Sequence, residues 1–191
     1  MALVITSAPA VEPVTVSEAK AHLRVDGTAE DTLIGSLILT SRLHIEAALG
    51  LALMTQSWRL TLDAWPNGRE LELPLRPLQS LASVKVLSAD GTAEAVPSSA
   101  YVVDADGTPP RIVRNNGSWP QPERAVNGIE IEFTAGFGDG AADVPAPIRQ
   151  ALLMLVAHWY ERRDPIEVGS RETAIPAAVS DLLAPYRAVR L

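Results

Sequence analysis

Ile148-Arg149-Gln150-Ala151-Leu152-Leu153-Met154-Leu155-Val156-Ala157-His158-Trp159 is the stretch whose period decides the fold. Ile148, Ala151, Leu152, Leu155, Val156 and Trp159 recur at helical spacing, so one apolar face runs along a long amphipathic helix. Pro145 or Pro147 falls in its first turn, where a missing N–H costs little. Asp164-Pro165 closes it, because the residue before proline avoids the α region. Ile166 to Thr173 is polar and contains glycine, which predicts a loop. Pro176 then starts a short helix with Val179, Leu182 and Leu183 on one side, and Pro185 ends or kinks it. The tail from Tyr186 to Leu191 has no core pattern of its own.

The same period stands at the other end of the chain. Thr15 to Glu18 has capping-box spacing, which starts a short helix near Val16 that reaches about Arg24, with Asp26-Gly27 as its stop. From Thr28 onward Leu33, Ile34, Leu37, Ile38, Ile45, Ala48 and Leu49 line one face of a second helix ending at Gly50. Glu46 flanks that face as a surface carboxylate or as an i,i+4 partner of Arg42. Neither terminal half can cover its apolar stripe alone, so both belong to one small bundle.

Between them the period changes to two. Trp58, Leu60 and Leu62 alternate with Arg59, Thr61 and Asp63, and Ile129, Ile131 and Phe133 alternate with Glu130 and Glu132. Leu71 with Leu73, Val84 with Val86 and Tyr101 with Val103 supply further short strands, while Asp90-Gly91 and Asp106-Gly107 supply turns. Seven prolines from Pro74 to Pro122 keep the strands short. The expected fold class is therefore α+β, a small helical bundle formed by N- and C-terminal helices with a β-rich insertion in the middle. The expected organisation is a single subunit over 1–191, with 1–50 and 144–191 as helical body and 51–143 as insertion.

Composition narrows the function by exclusion. A chain of 191 residues buries one good core or one core with a smaller layer. No apolar run reaches the roughly 18 residues of a membrane span, and no membrane partner is expected. Met1-Ala2-Leu3-Val4-Ile5 lacks a basic leader and is followed by Thr6-Ser7 and Pro9, so it reads as an edge strand or arm rather than a signal peptide. Cysteine is absent, which excludes disulfides and thiolate metal sites and fits a reducing cytoplasm. A net charge of −7 argues against free binding to a nucleic-acid backbone. Arg162, Arg163, Arg171, Arg187 and Arg190 stand on residues 144–191, the part of the chain that is not acidic, and either meet an acidic partner or form a solvated face.

No motif carries chemistry. Gly136-Phe137-Gly138-Asp139-Gly140 lacks the Gly-Lys-Ser/Thr ending of a phosphate loop and reads as a turn or a subunit-contacting loop. His22, His44 and His158 have no second ligand at metal spacing, and His158 suits a helix end better than a catalytic base. The expectation is no enzyme, with no catalytic, cofactor or metal site. Glu130 and Glu132 share one strand face, a solvated stripe or, in a channel traversed by DNA, an acidic wall that repels phosphate. The four tryptophans are spread over four elements: Trp58 and Trp159 suit a core, while Trp65 and Trp119 lie in loops that either anchor a partner or pack on their own sheet.

The ordered set of Val14 to Asp26, Ile45-Glu46, Leu73-Pro74-Leu75-Arg76-Pro77-Leu78, Phe133 to Gly138 and His158 to Arg163 resembles the head-tail connector (adaptor) proteins of tailed phages and phage-derived gene transfer agents. The resemblance covers nearly the whole chain. It implies a helical body with a small β-rich insertion, and a structural subunit in a ring of copies of itself, usually twelve, beneath the portal. Such a ring joins the portal protein to stopper or tail-completion proteins and extends the DNA channel, so that DNA passes without specific binding. The implied location is the head-tail interface of a virion or gene-transfer-agent particle, assembled in the bacterial cytoplasm.

On that resemblance, Leu182, Leu183, Tyr186, Arg187 and Arg190 are the candidates for portal docking, with the alternative that Leu182 and Leu183 close the bundle. Glu130 and Glu132 are the channel-lining candidates, and Trp65, Trp119 and Arg171 the interface-loop candidates. The rival reading is a non-enzymatic α+β protein-binding or regulatory module.

Overall fold

Thr15 nucleates the first helix, α1 (Val16–Leu23), through the expected capping box. Its Oγ1 accepts from the Glu18 N–H at 3.1 Å while its own N–H donates to Glu18 Oε2 at 2.8 Å. That backbone donor, ahead of the Thr15 hydroxyl, holds the Glu18 carboxyl below its ordinary pKa. Arg24 ends the helix in the left-handed region at φ 57°. These local choices are reproduced in a computed structural model that describes residues 1–162 and 175–188. It is a mixed α+β structure that divides into two units, Val11–Leu49 with Gly138–Leu191, and Met1–Ala10 with Gly50–Phe137.

The first unit holds the helices. After α1 come α2 (Asp31–Leu49), α3 (Ala146–Glu161) and α4 (Ala177–Leu183), the last followed by a 3-10 turn over Ala184–Tyr186. Helix α1 packs on α2 and α3, α2 on α3, and α3 on α4, so the terminal helices do form one bundle. Ala19, Ile34, Ile38 and Val156 form a buried cluster flanked by Leu23, Leu37 and Leu153. Each fully buried isoleucine contributes about 1.5–3 kcal/mol relative to exposure. Polar ties brace the bundle: Arg149 donates to the Pro13 carbonyl at 3.1 Å and to Glu18 at 2.5 Å, Lys20 pairs with Asp31 at 2.7 Å, and the Tyr160 hydroxyl donates to Glu30. Glu46 departs from the surface alternative, being only 8% exposed, because Arg42 neutralises it from one turn away. The expected helix stop at Asp164-Pro165 and the loop from Ile166 to Thr173 lie outside the described residues.

The second unit holds two antiparallel sheets. The strands are β1 (Ala2–Ser7), β2 (Gln56–Leu62), β3 (Glu70–Glu72), β4 (Leu78–Leu87), β5 (Ala93–Ala95), β6 (Tyr101–Asp104), β7 (Arg111–Arg114) and β8 (Ile129–Ala135). The larger sheet runs β1-β2-β8-β4-β5 and the smaller β3-β7-β6. Asp90-Gly91 makes the predicted turn between β4 and β5, closed by the Ser88 N–H to the Thr92 carbonyl at 2.9 Å. One apolar cluster joins the sheets, with Leu60, Val84, Ile129, Ile131 and Phe133 from the larger, Leu71 and Ile112 from the smaller, and Trp119 from a loop. The N-terminal segment is an edge strand, as expected, paired to β2 with Leu3 opposite Leu60.

Central strand β8 alternates strictly, with Ile129, Ile131, Phe133 and Ala135 buried and Glu130, Glu132 and Thr134 on the other face. It stops at Gly136, whose φ of +142° and approach to Met54 leave no room for a side chain: a Cβ there would stand 2.5 Å from the Met54 carbonyl carbon and oxygen.

Candidate functional site

Helix α4 has no side-chain cap at its N-terminus, where Pro176 holds the extended backbone that precedes it. Its place comes instead from packing, with Val179 and Leu183 turned inward at 1% and 7% exposure. Between α2, α3 and α4 this leaves a groove of about 170 Å³. Ile45, Leu155, Val179 and Leu183 form its apolar floor, with His44 and Arg187 among its lining residues. Both of these side chains are exposed, and the His44 ring also meets Trp159 edge-on, with centroids 5.8 Å apart. Small-molecule sites are usually about 300–1,000 Å³, so a groove of this size is smaller than a typical ligand pocket.

Of the docking candidates singled out by sequence, Leu183 and Arg187 line the groove, while Leu182 and Tyr186 do not. Leu183 closes the bundle as well as lining the groove, Leu182 and Tyr186 are half-buried, and Arg187 is exposed. Arg190 lies outside the described residues. His44 and Ile45 on α2 were not foreseen as neighbours of α4, because a spacing of well over a hundred residues carries no local period.

The second polar constellation is built on β8 and its two neighbours. Register sets Glu132 opposite Arg59 of β2 and Ser83 of β4, and Glu130 opposite Lys85 of β4. Glu132 accepts from Arg59 Nη2 at 2.8 Å, Ser83 Oγ at 3.0 Å and Lys85 Nζ at 3.2 Å. Glu130 lies 3.4 Å from Lys85 Nζ and 3.5 Å from Arg59 Nε. The hydrogen bonds from Arg59, Lys85 and Ser83, in that order, bring the Glu132 pKa down to about 2. The same contacts, foremost the bonds to Glu132, raise the pKa values of Arg59 and Lys85. Glu130 and Glu132 do share one face, as expected, but the stripe is not bare: two cations from adjacent strands balance the two carboxylates. Strand pairing supplies those partners, and the sequence of β8 alone cannot reveal them.

Trp65 and Trp119, read as separate loop residues, are stacked on each other with centroids 4.2 Å apart and planes 10° from parallel. Trp119 is 4% exposed within the core of the β unit, while Trp65 is half-buried and donates its Nε1–H to the Pro120 carbonyl at 2.7 Å. Of the two alternatives for these loops, packing on their own sheet is the one observed for Trp119. Arg171 lies outside the described residues. Among the described residues no cluster of three His, Cys, Asp or Glu could hold a metal, and no helix is long and apolar enough to cross a membrane.

The family model for head completion proteins matches residues 12–189. Three solved chains are similar over essentially their full length. One is from the neck of an empty GTA particle computed with C6 symmetry, at 28% identity and TM-score 0.86, covering 100% of this chain and 97% of that one. Another, from the virion of a native gene transfer agent (GTA) particle, is 29% identical with TM-score 0.84 and the same coverage. A third, from the neck of a native GTA particle computed with C12 symmetry, is 27% identical with TM-score 0.80, covering 98% of this chain and 97% of that one. No curated protein matches the chain.

Proposed function

Because this chain belongs to the head completion protein family, structural proteins of the head-tail junction, we propose that its copies close into a ring beneath the portal, join the portal to stopper or tail-completion proteins and extend the DNA channel. The observation that carries this reading is full-length similarity to a subunit of a neck with C12 symmetry, at a TM-score of 0.80. Twelve copies is the corresponding ring size, and the head-tail interface of a phage or gene-transfer-agent particle the corresponding location. The work of such a subunit is interfacial: each copy buries one flank on the next, and repetition of a heterologous contact closes the ring.

The groove at α4 supports portal docking by the C-terminal segment. In that segment Arg187 is exposed, Leu182 and Tyr186 are half-buried, Arg190 follows them in the chain, and Leu183 holds the helix to the bundle. The face that carries Glu130 and Glu132 is our candidate for the wall of the DNA path. Its balanced charges favour neither adhesion of phosphate nor strong repulsion.

The direct test mixes the purified protein with the portal ring from its own gene cluster and examines the product by native mass and electron-microscope class averages. A second ring stacked on the portal, with its copy number read from the mass, is the expected result. No complex at high micromolar concentration overturns the reading in favour of a binding module with another partner.

A further inference from the structure

Helix α2 wears its charges inside. Between Thr32 and Leu49 its two charged residues, Arg42 and Glu46, are 5% and 8% exposed, whereas Leu39 and Leu43 are 42% and 51% exposed. Surface helices ordinarily do the reverse. The outward stripe of Thr32, Ser36, Leu39, Thr40, Leu43 and Ala47 has no formal charge over more than four turns. Its hydroxyls ask little of a partner: Ser36 donates to the Leu33 carbonyl at 2.7 Å and Thr40 to the Ser36 carbonyl at 2.8 Å. Depletion of charge combined with exposed leucine is the composition of an interface core.

A second surface of this kind lies at the N-terminus. Residues 1–11 contain no Asp, Glu, Lys or Arg, and Met1, Val4, Ile5 and Val11 are 80%, 55%, 41% and 49% exposed. Together the two segments hold six of the ten exposed large hydrophobics among the described residues.

Charge selects the occupant. Each copy carries −7, so a ring sets like-charged molecules side by side, and the contact is favoured where neither face brings acid against acid or buries an unpaired ion. A heterologous contact also needs two different surfaces on one chain, and these two are distinct, apolar and free of charged side chains. We propose that the outward face of α2 in one copy packs on the apolar N-terminal segment of the next copy, forming the seam of the ring. The proposal rests on the ring reading above and names the surfaces that make it.

The absence of native cysteine makes the test clean. The full chain carrying both Val4→Cys and Leu43→Cys is assembled on its portal and treated with a short bismaleimide. The seam predicts a ladder of linked copies up to the ring size in the double variant, and monomers in each single variant. A companion variant, Leu39→Glu with Leu43→Glu, keeps its helical circular dichroism and loses at least tenfold in ring yield, while Val102→Glu on β6 keeps wild-type yield. If the double-cysteine protein forms rings by native mass yet stays unlinked, or the charged α2 variant still forms rings, the seam is wrong and the ring stands. Linking by Leu43→Cys alone, or linking of that residue to another protein of the particle, also overturns it in favour of that contact. If the unmodified chain forms no ring on the portal, the ring reading itself falls, and the seam with it.

Discussion

Arg42 and Glu46 stand one turn apart on α2 and are bonded Nη1 to Oε2 at 2.8 Å inside the protein, their side chains 6% and 9% exposed. The other side of the guanidinium holds Glu12, through Nε at 2.7 Å and Nη2 at 3.2 Å. Burial by itself would lower the pKa of Arg42, but the bonds and charges of the two glutamates more than offset it. One arginine thereby ties the segment before α1 to the middle of the longest helix, and allows α2 to present leucine outward.

Arg42 is the buried cation of this cluster. Arg42→Met removes the partner bonded to both Glu46 and Glu12 and should cost about 3–5 kcal/mol in chemical denaturation. Arg42→Met combined with Glu46→Leu should recover most of that loss, since apolar side chains then replace the buried ion pair. A double variant as unstable as the single one would mean that Arg42 acts through packing alone.

Glu132 makes stability depend on pH in a defined window. Its folded pKa of about 2 lies below the ordinary value of 4.5, so its contribution is complete above 4.5 and is lost as the pH falls from there toward 2. The side chain is 29% exposed, and solvent screening limits the effect to about 1 kcal/mol. Glu132→Gln should therefore be less stable than the wild type at pH 7, with the difference fading below pH 4.5. A difference that stays constant down to pH 2 would refute the assignment.

The tryptophan stack can be separated into packing and hydrogen bonding. Trp119→Ala empties a site in the β core and should cost about 3–5 kcal/mol. Trp65→Phe keeps an aromatic ring, though a smaller one, and loses the bond to the Pro120 carbonyl, which should cost at least about 1 kcal/mol. A double-mutant cycle with alanine at both positions should show a coupling of about 0.5–1.5 kcal/mol. Strict additivity would argue that the stack contributes nothing beyond burial.

Truncation after Ala184 retains Val179 and Leu183, which pack α4, and removes Tyr186 and Arg187. The shortened protein should unfold within a few degrees of the full chain yet fail to join portal rings in sedimentation. Joining at wild-type yield would remove the C-terminal segment from the docking surface.

The sequence by itself determined what depends on neighbours within a few residues. The period of Ile148 to Trp159 and of Ile34 to Leu49, the alternation of β2 and β8, the Thr15 and Glu18 capping box and the turn at Asp90-Gly91 were all legible there. So was the gathering of the terminal helices, because an apolar stripe must find cover. Only the tertiary structure decided what each polar or aromatic side chain meets. Glu130 and Glu132 share a face by the rule of two, but Arg59 and Lys85 reach them through strand register set across dozens of residues. Trp65 meets Trp119, and His44 lies near Arg187, for the same reason. Glu46 turned inward because Arg42 neutralises it, and Arg42 is itself held from the segment before α1 by Glu12, a three-body arrangement that no single helix period encodes. Side-chain direction follows local backbone geometry, whereas charge compensation and stacking depend on which distant segments the core brings together.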